Sequence, residues 1–370
     1  MRKLSFIIVL AMLVSLLAGC AGTAVVYYSD CTCPVGVHET QAPAVQQPDV
    51  QQPAVQAPED KETVSGEGAL KTGLAVCANA RKSVSASAEA AGTAEFDITF
   101  AAVVVDENGV IVDCVIDCVG TTVKFDTNGV IDPTSLAEVS TKNELGEAYG
   151  MKLYGGSAYE WNEQAAALCD YAVGKTVQEL REGAVSESGH AVDADLASHA
   201  SIYLGGYVDA IEKAVANATV LGAQQGDDLR LAVIASLGDS VSADGENKGT
   251  AQLNCDVTAL TMADDKITSC VIDSIQAKVS FDGAGQLGEL AEMLTKNELG
   301  EAYGMKMYAG SAYEWNEQAA AFASYVTGMT VEEVLGISVN ERTAPTDADI
   351  SSTVTIAVAG FKALIEKAGK

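Results

Sequence analysis

Two short blocks of sequence, each present twice in the chain, concentrate the side chains that could bind a ligand. Residues 141–152 are identical to 295–306, and residues 156–167 are identical to 310–321. An aromatic face beside an ammonium group suits a flat anionic ligand, because the ring can stack while the charge attracts. The candidate ligand-binding residues are Lys152, Tyr159 and Trp161 in the first copy and Lys306, Tyr313 and Trp315 in the second.

The same blocks also have a purely structural interpretation. A loop that packs on its own helix, in a gene segment duplicated too recently to have drifted, would show the same identity. Over 141–180 and 295–334 the two copies share 30 of 40 residues without a gap. At this stage the ligand-binding and structural interpretations both stay open.

Duplication limits the catalytic chemistry that the two copies can share. The three histidines are His38, His190 and His199, and none of them lies in the second copy. Ser-His and Cys-His catalysis and His-ligated zinc are therefore excluded as a common activity, although the first copy alone could hold such a site. A hydrolase has the least support, and no catalytic or metal-ligating residue is predicted.

The charge balance restricts the partners. The chain has 370 residues with 22 Lys and Arg against 51 Asp and Glu, a formal charge of -29. Carboxylates repel a phosphate backbone, so a nucleic-acid partner is not expected. Hydrophobic residues make up 48% of the chain and charged residues 20%, which is enough apolar surface to build a core.

The cysteines do not indicate a redox motif. Cys114 and Cys118 fall in one predicted strand, where four residues span about 13 Å, too far for a disulfide. Only Cys114 and Cys270 occupy equivalent places in the two copies, and the apolar residues around them predict small buried side chains. The pairing of the other cysteines stays open.

The N-terminus carries an export signal. Arg2 and Lys3 precede an apolar run that ends in Leu-Ala-Gly-Cys at Cys20. This tetrapeptide resembles the bacterial lipobox, which implies removal of residues 1–19 and lipidation of Cys20. The alternative is an ordinary signal peptide whose cleavage site happens to precede a cysteine. The resemblance implies an extracytoplasmic protein anchored to the bacterial cell membrane through lipid on Cys20.

Beyond the signal, the sequence divides into a stalk and two repeats. Residues 20–69 hold five of the seven prolines, together with many glutamines, and predict an extended, disordered stalk. The two copies define the first repeat, residues 70–220, and the second repeat, residues 228–370. Both are predicted to be domains long enough to bury their own cores.

Each repeat begins with strand patterns and ends with helix patterns. Phe96, Ile98 and Phe100 alternate with Asp97 and Thr99, which predicts a strand with one apolar and one wetter face. Asn-Gly pairs at 108–109 and 128–129 predict hairpin turns, which fit better than calcium loops because the remaining ligands are missing.

Helices are predicted over 158–173 and 312–327, capped by Ser157 and Ser311. Capping boxes at 176–179 and 330–333 predict a short second helix in each repeat, and final helices are expected over 207–217 and 361–368. The fold class is therefore α+β: two tandem copies of a domain with an N-terminal antiparallel sheet and C-terminal helices.

The order of elements over a whole repeat resembles the FMN-binding domain of bacterial exported electron-transfer proteins. That family attaches FMN through its phosphate to a Thr in an Asp-x-x-Ser-Gly-Ala-Thr type motif. The corresponding segments here begin at Asp195 and Asp349, and they place Ser201 and Thr355 where the acceptor hydroxyl belongs. Both segments lack the Gly-Ala pair of the motif.

The resemblance implies a surface lipoprotein that binds FMN and carries electrons outside the cell, with a redox partner or a small anionic ligand. The alternative is a non-redox ligand-binding or adhesive lipoprotein that has lost flavin attachment. The block at 144–152 is also similar to one in clostridial surface lipoproteins, which implies location and not activity.

Overall fold

The computed structural model describes residues 68–370. The predicted signal peptide, Cys20 and all but the last two residues of the predicted stalk lie outside the described residues. The chain contains both helices and antiparallel sheets, which confirms the α+β class.

Each repeat contributes one three-stranded antiparallel sheet in which the strands pair in chain order. The first sheet is formed by β1 (Lys71–Asn79), β2 (Gly92–Val105) and β3 (Ile111–Phe125). The second is formed by β4 (Asp228–Ser236), β5 (Gly249–Ala263) and β6 (Lys266–Phe281). The turn between β2 and β3 forms where predicted, because Asp106 Oδ1 accepts from the backbone N–H groups of Asn108 and Val110, and Gly109 has a φ of 77°.

The two sheets pack face to face and share one apolar core. Phe96, Ile98 and Phe100 of β2 lie in the same buried cluster as residues of β4, β5 and β6. The next residues along β2, such as Ala101 and Val103, belong to a second cluster beneath the helices of the first repeat. The prediction of a wetter face was therefore only partly correct: Asp97 is half-buried, but Thr99 is fully buried because helices cover that face.

Helices cover the outer face of each sheet, which gives four layers in the order helix, sheet, sheet, helix. The helices of the first repeat are α1 (Lys142–Leu145), α2 (Met151–Gly155), α3 (Trp161–Ala172), α4 (Val177–Ala184), α5 (Ala194–His199) and α6 (Gly205–Ala216). Those of the second are α7 (Lys296–Leu299), α8 (Met305–Ala309), α9 (Trp315–Val326), α10 (Val331–Leu335), α11 (Ala348–Ser351) and α12 (Ala359–Ala368). In residues 68–370 no helix is both long and apolar enough to cross a bilayer.

The predicted helices form in each repeat, but some of their starts differ by two or three residues from the sequence patterns and two predicted caps fail. The predicted capping boxes start α4 and α10, where Thr176 and Thr330 accept from the N–H groups three residues on. The predicted caps Ser157 and Ser311 were wrong, because α3 and α9 begin later, after Glu160 and Glu314.

Contacts between the repeats are made twice, once in each direction. Ala86 N–H donates to the carbonyl of Gly285, and Ala243 N–H donates to the carbonyl of Gly129, each at 2.8 Å. A Cβ at Gly129 would lie 2.6 Å from the Asp282 carbonyl oxygen, so only glycine permits this approach. The turn after β3 and the turn after β6 therefore each pack closely against the other repeat.

Candidate functional site

Both tryptophans lie in the cores beneath the helices. Trp161 Nε1 donates to Tyr207 Oη at 3.0 Å, and the two rings meet edge to face. Lys142 Nζ lies 5.1 Å from the ring centroid of Trp161 and 5.1 Å from that of Tyr149. The indole is buried, and its contacts are with residues of its own repeat.

The second repeat has the same arrangement with one change. Lys296 Nζ lies 4.8 Å from the ring centroid of Trp315, and Phe361 replaces the tyrosine, with ring centroids 5.7 Å apart. The cation–π partner of each tryptophan is therefore the lysine at the start of the block, not the predicted Lys152 or Lys306.

Lys152 and Lys306 lie at the surface and pair with glutamates. Lys152 Nζ is 2.6 Å from Glu163 Oε2, and Lys306 Nζ is 2.8 Å from Glu317 Oε2. Hydrogen bonding to Glu163 raises the pKa of Lys152, so the ammonium group stays charged but its charge is balanced locally.

Ser201 and Thr355 both contact a buried glutamine. Ser201 donates to Gln164 Oε1 from its backbone N–H at 2.8 Å and from its hydroxyl at 3.2 Å. Thr355 does the same to Gln318 Oε1 at 2.8 and 3.1 Å. Gln164 Nε2 in turn donates to the Tyr159 carbonyl at 3.0 Å. Each glutamine therefore connects the predicted acceptor segment to the duplicated block at 156–167 or 310–321.

In each repeat the four predicted residues do not all share one exposed surface. The structure brings Tyr159 and Ser201 close through Gln164, and Tyr313 and Thr355 through Gln318. However, the indoles are buried, the hydroxyls donate to the glutamines and the lysines pair with glutamates. Flavin attachment at Ser201 or Thr355 would first have to break a hydrogen bond to a buried amide.

A buried aspartate anchors the start of each duplicated block to its sheet. Asp117 Oδ1 accepts from Asn143 N–H at 3.1 Å, and Asp273 Oδ1 accepts from Asn297 N–H at the same distance. Burial raises the pKa of Asp273 to about 6 and also raises the pKa of Asp117. The aspartates position the asparagines that follow Lys142 and Lys296.

The two cysteines at equivalent places, Cys114 and Cys270, are not placed for nucleophilic chemistry. Cys114 and Cys270 are buried, as the sequence predicted, and neither Cys114 nor Cys118 is in a disulfide. Burial raises the pKa of Cys270 to about 12, and the neighbouring Cys169 thiol raises that of Cys114. A thiol that stays protonated at neutral pH is a poor nucleophile.

A hollow lies between the repeats. It has a volume of about 540 Å³, within the range of small-molecule sites. One wall is the connecting segment at 219–222, which includes Val220 and Leu221, both substantially exposed. The segment runs close to β6 at Gly222, where an added Cβ would clash with the Thr268 carbonyl. The other wall is formed by residues of β6, α7 and α9: Cys270, Val271, Ile272, Asn297, Asn316, Ala320, Ala323, Ser324 and, just after α9, Thr327.

An unpartnered acceptor lies in the wall of this cleft. Asn316 Oδ1 is buried and has no hydrogen-bond partner, and the equivalent atom of Asn162 in the first repeat is in the same state. Buried polar atoms in proteins are nearly always paired, so an unpaired one calls for a donor. In the second repeat a bound molecule could supply that donor.

A smaller, more polar hollow continues from the cleft. Its volume is about 330 Å³, and it shares Thr219, Val271 and Asn297 with the larger one. Lys213 of α6 and Glu298 of α7 line it and pair at 2.5 Å. The cleft thus has an apolar end and an end that carries an ion pair.

Sequence reasoning missed this cleft. Asn297 and Asn316 fall inside the identical blocks, but nothing in the sequence distinguishes an asparagine that lines a cleft from one at the surface. The segment at 219–222 lies at the junction of the repeats, and no pattern in the sequence indicates that it crosses β6.

Within residues 68–370 no group of three or more His, Cys, Asp or Glu side chains is placed to hold a metal ion. Comparison with family models, curated proteins and solved structures finds no match to this chain.

Proposed function

We propose that this chain is an extracytoplasmic, lipid-anchored protein that binds a small ligand in the cleft between its two repeats and does not transform it. The observation that carries the proposal is Asn316 Oδ1, a buried acceptor without a partner in the wall of an apolar hollow. Its lipid anchor on Cys20 and its stalk at 20–69 rest on the sequence. The tandem-domain description likewise rests on the duplicated sequence and on the repeated order of sheet and helices.

The lining defines the ligand by its chemistry. Valine, leucine, isoleucine and alanine side chains favour a mainly apolar body, and the burial of that body supplies most of the affinity. An N–H or O–H donor on the ligand would pair with the free acceptor of Asn316. We therefore expect a small, mainly apolar molecule with a donor group. A longer molecule of this kind would also reach the Lys213–Glu298 pair in the smaller hollow.

A matched pair of variants tests the site. Ala320 of α9 lines the cleft, and Ala166 is its equivalent on α3. Ala320→Phe should fill the hollow and abolish ligand-induced thermal stabilisation of the full chain in a screen of small apolar molecules with donor groups. Ala166→Phe should leave it unchanged. Hits that stabilise both variants equally would contradict the proposal.

Flavin binding, implied by the family resemblance, is the competing proposal. Support for it comes from the exposed positions of Ser201 and Thr355 beside Tyr159 and Tyr313. Expression with and without a flavin transferase distinguishes the two. A yellow protein that gains the mass of one or two FMN groups, and loses them in Ser201→Ala and Thr355→Ala variants, would establish flavin attachment. A colourless protein of unchanged mass would leave the cleft as the binding site.

A further inference from the structure

Each repeat exposes two large apolar side chains on a short helix. On α2, Leu153 is 75% exposed and Tyr154 is 70% exposed; on α8, Met307 is 76% exposed and Tyr308 is 81% exposed. Single exposed apolar residues are common, but here the same pair of positions is exposed in both copies. We name α2 and α8, with these residues, the aromatic tips.

The tyrosine rings of the aromatic tips lie against glycine residues. Gly150 and Gly304 have φ values of 81° and 83°, and a Cβ at either position would clash with the ring four residues on. The Cδ2–Cε2 edge of each ring therefore lies against the glycine backbone, while the high exposure of the residue leaves much of the ring in solvent. An aromatic ring fixed before binding loses little conformational entropy when a partner docks.

Glutamates interact with the lysine of each aromatic tip. Lys152 is neutralised by Glu163, and the carboxylates of Glu160 and Glu147 also act on it. The second tip repeats this arrangement with Lys306 among Glu317, Glu314 and Glu301. In each tip one of these three glutamates is buried and accepts from backbone N–H groups, so the surface lysine is outnumbered by two less buried carboxylates, on a chain whose formal charge is -29.

We propose that Tyr154 and Tyr308 are two docking platforms for a basic partner, a protein segment that presents Arg or Lys side chains. The face of an aromatic ring is negative and attracts a cation, and the nearby carboxylates raise the local concentration of basic segments. Leu153 and Met307 add apolar contact for the aliphatic part of the Arg or Lys side chain. The same charge repels anionic lipid surfaces and anionic polymers.

The platforms are tested on the full chain with two peptides. The first alternates Arg with Gly, and the second has citrulline in place of each Arg, which keeps the shape and removes the charge. We expect the Arg peptide to bind at two sites per chain by calorimetry, more weakly as salt rises, and the citrulline peptide not to bind. Equal binding of both peptides would overturn the proposal in favour of a neutral partner such as a glycan.

Matched variants separate the platforms from general charge attraction. Replacing both tyrosines (Tyr154→Ser with Tyr308→Ser) should weaken Arg-peptide binding about tenfold, whereas the Tyr→Phe pair should retain it, since the ring face remains. Val84 and Val241 are exposed apolar residues at equivalent positions of the two repeats, so Val84→Ser with Val241→Ser is the control. An unchanged affinity in the Tyr→Ser pair would overturn the proposal, as would tyrosine-dependent self-association of the free chain. Circular dichroism verifies that all variants fold.

Discussion

Phe125 and Phe281 stack face to face between the two sheets, with ring centroids 4.0 Å apart and planes within 3° of parallel. They are the last residues of β3 and β6, so equivalent positions of the two repeats meet each other. Each ring also lies against a glycine of its own sheet, Gly92 or Gly249, where a Cβ would clash with it. The stacked rings therefore join the two sheets, and each ring depends on the other for part of its packing.

Phe125→Ala should destabilise the whole described body and not the first repeat alone. Removal of a fully buried phenylalanine costs about 3 to 5 kcal/mol, and here the cavity also removes the stacking partner of Phe281. We expect one cooperative unfolding transition in urea, displaced to lower concentration. Two separate transitions, with the second repeat unaffected, would show that the repeats fold independently.

Gln164 should be more important for stability than either hydroxyl that was predicted to bind flavin. Its buried amide accepts from Ser201 and Ile202 and donates to Ser157 and Tyr159, so Gln164→Leu leaves several polar groups unpaired. The expected loss is about 2 to 4 kcal/mol in urea unfolding. Ser201→Ala removes one hydrogen bond and should cost about 1 kcal/mol.

Gln318 provides the internal control for this prediction. It makes the same contacts to Thr355 and Ile356, so Gln318→Leu should destabilise to a similar extent. If both glutamine variants matched the stability of the unaltered chain, the amides would not be what holds these segments in place.

Local sequence signals predicted most of the elements but not their environment. The turn at 106–109 and the boxes at Thr176 and Thr330 formed as expected, because their hydrogen bonds involve residues within four positions of each other. Ser157 failed as a cap because its hydroxyl accepts from the amide of Gln164, while Glu163 reaches back to the N–H of Glu160. The helix could begin after Ser157 or after Glu160, and packing within the repeat favours the later start.

The site depended on information that no local pattern contains. The alternation of Phe96 with Asp97 indicates two different faces, but not that a second sheet covers one face and helices the other. Trp161 reads equally well as a ligand contact or as a core residue, and its cation–π partner, Lys142, lies in the other duplicated block of the repeat. The cleft exists only because the segment at 219–222 crosses β6 of the other repeat.

Asp273 should make the stability of the fold depend on pH. Burial raises its pKa from 3.8 to about 6 in the folded chain, so between these values the folded state binds more protons than the unfolded state. This contribution is fully present below about pH 3.8 and is lost as the pH rises through about 6. It corresponds to at most about 3 kcal/mol.

Asp273→Asn removes that titration while it keeps an acceptor for the N–H groups of Ser274 and Asn297. Relative to the unaltered chain, the variant should therefore gain stability as the pH rises from 4 to 7 in urea unfolding. Asp117→Asn should behave in the same direction, because burial also raises the pKa of Asp117. A stability difference that does not vary with pH would mean that Asp273 titrates normally.

Lys213 and Lys367 should contribute equally to holding the repeats together. Lys213 of α6 bonds the Val76 carbonyl of its own sheet and pairs with Glu298 of the other repeat. Lys367 of α12 bonds the Val233 carbonyl and pairs with Glu144. Each ammonium group is partly buried, so its replacement by methionine should cost about 1 to 2 kcal/mol and leave a carbonyl without its donor.

A double-mutant cycle isolates the ion pair from the carbonyl bond. Lys213→Met and Glu298→Gln should together cost less than the sum of the two single changes, with a coupling energy that shrinks as salt rises, since both side chains are about 30% exposed. The matched cycle of Lys367 with Glu144 should give a similar coupling. Lys213 and Glu298 also line the polar end of the cleft, whereas Lys367 and Glu144 line neither hollow. Only the first cycle should therefore alter the affinity of a ligand that is long enough to reach the polar end. An equal effect of both cycles on ligand affinity would place the ligand elsewhere.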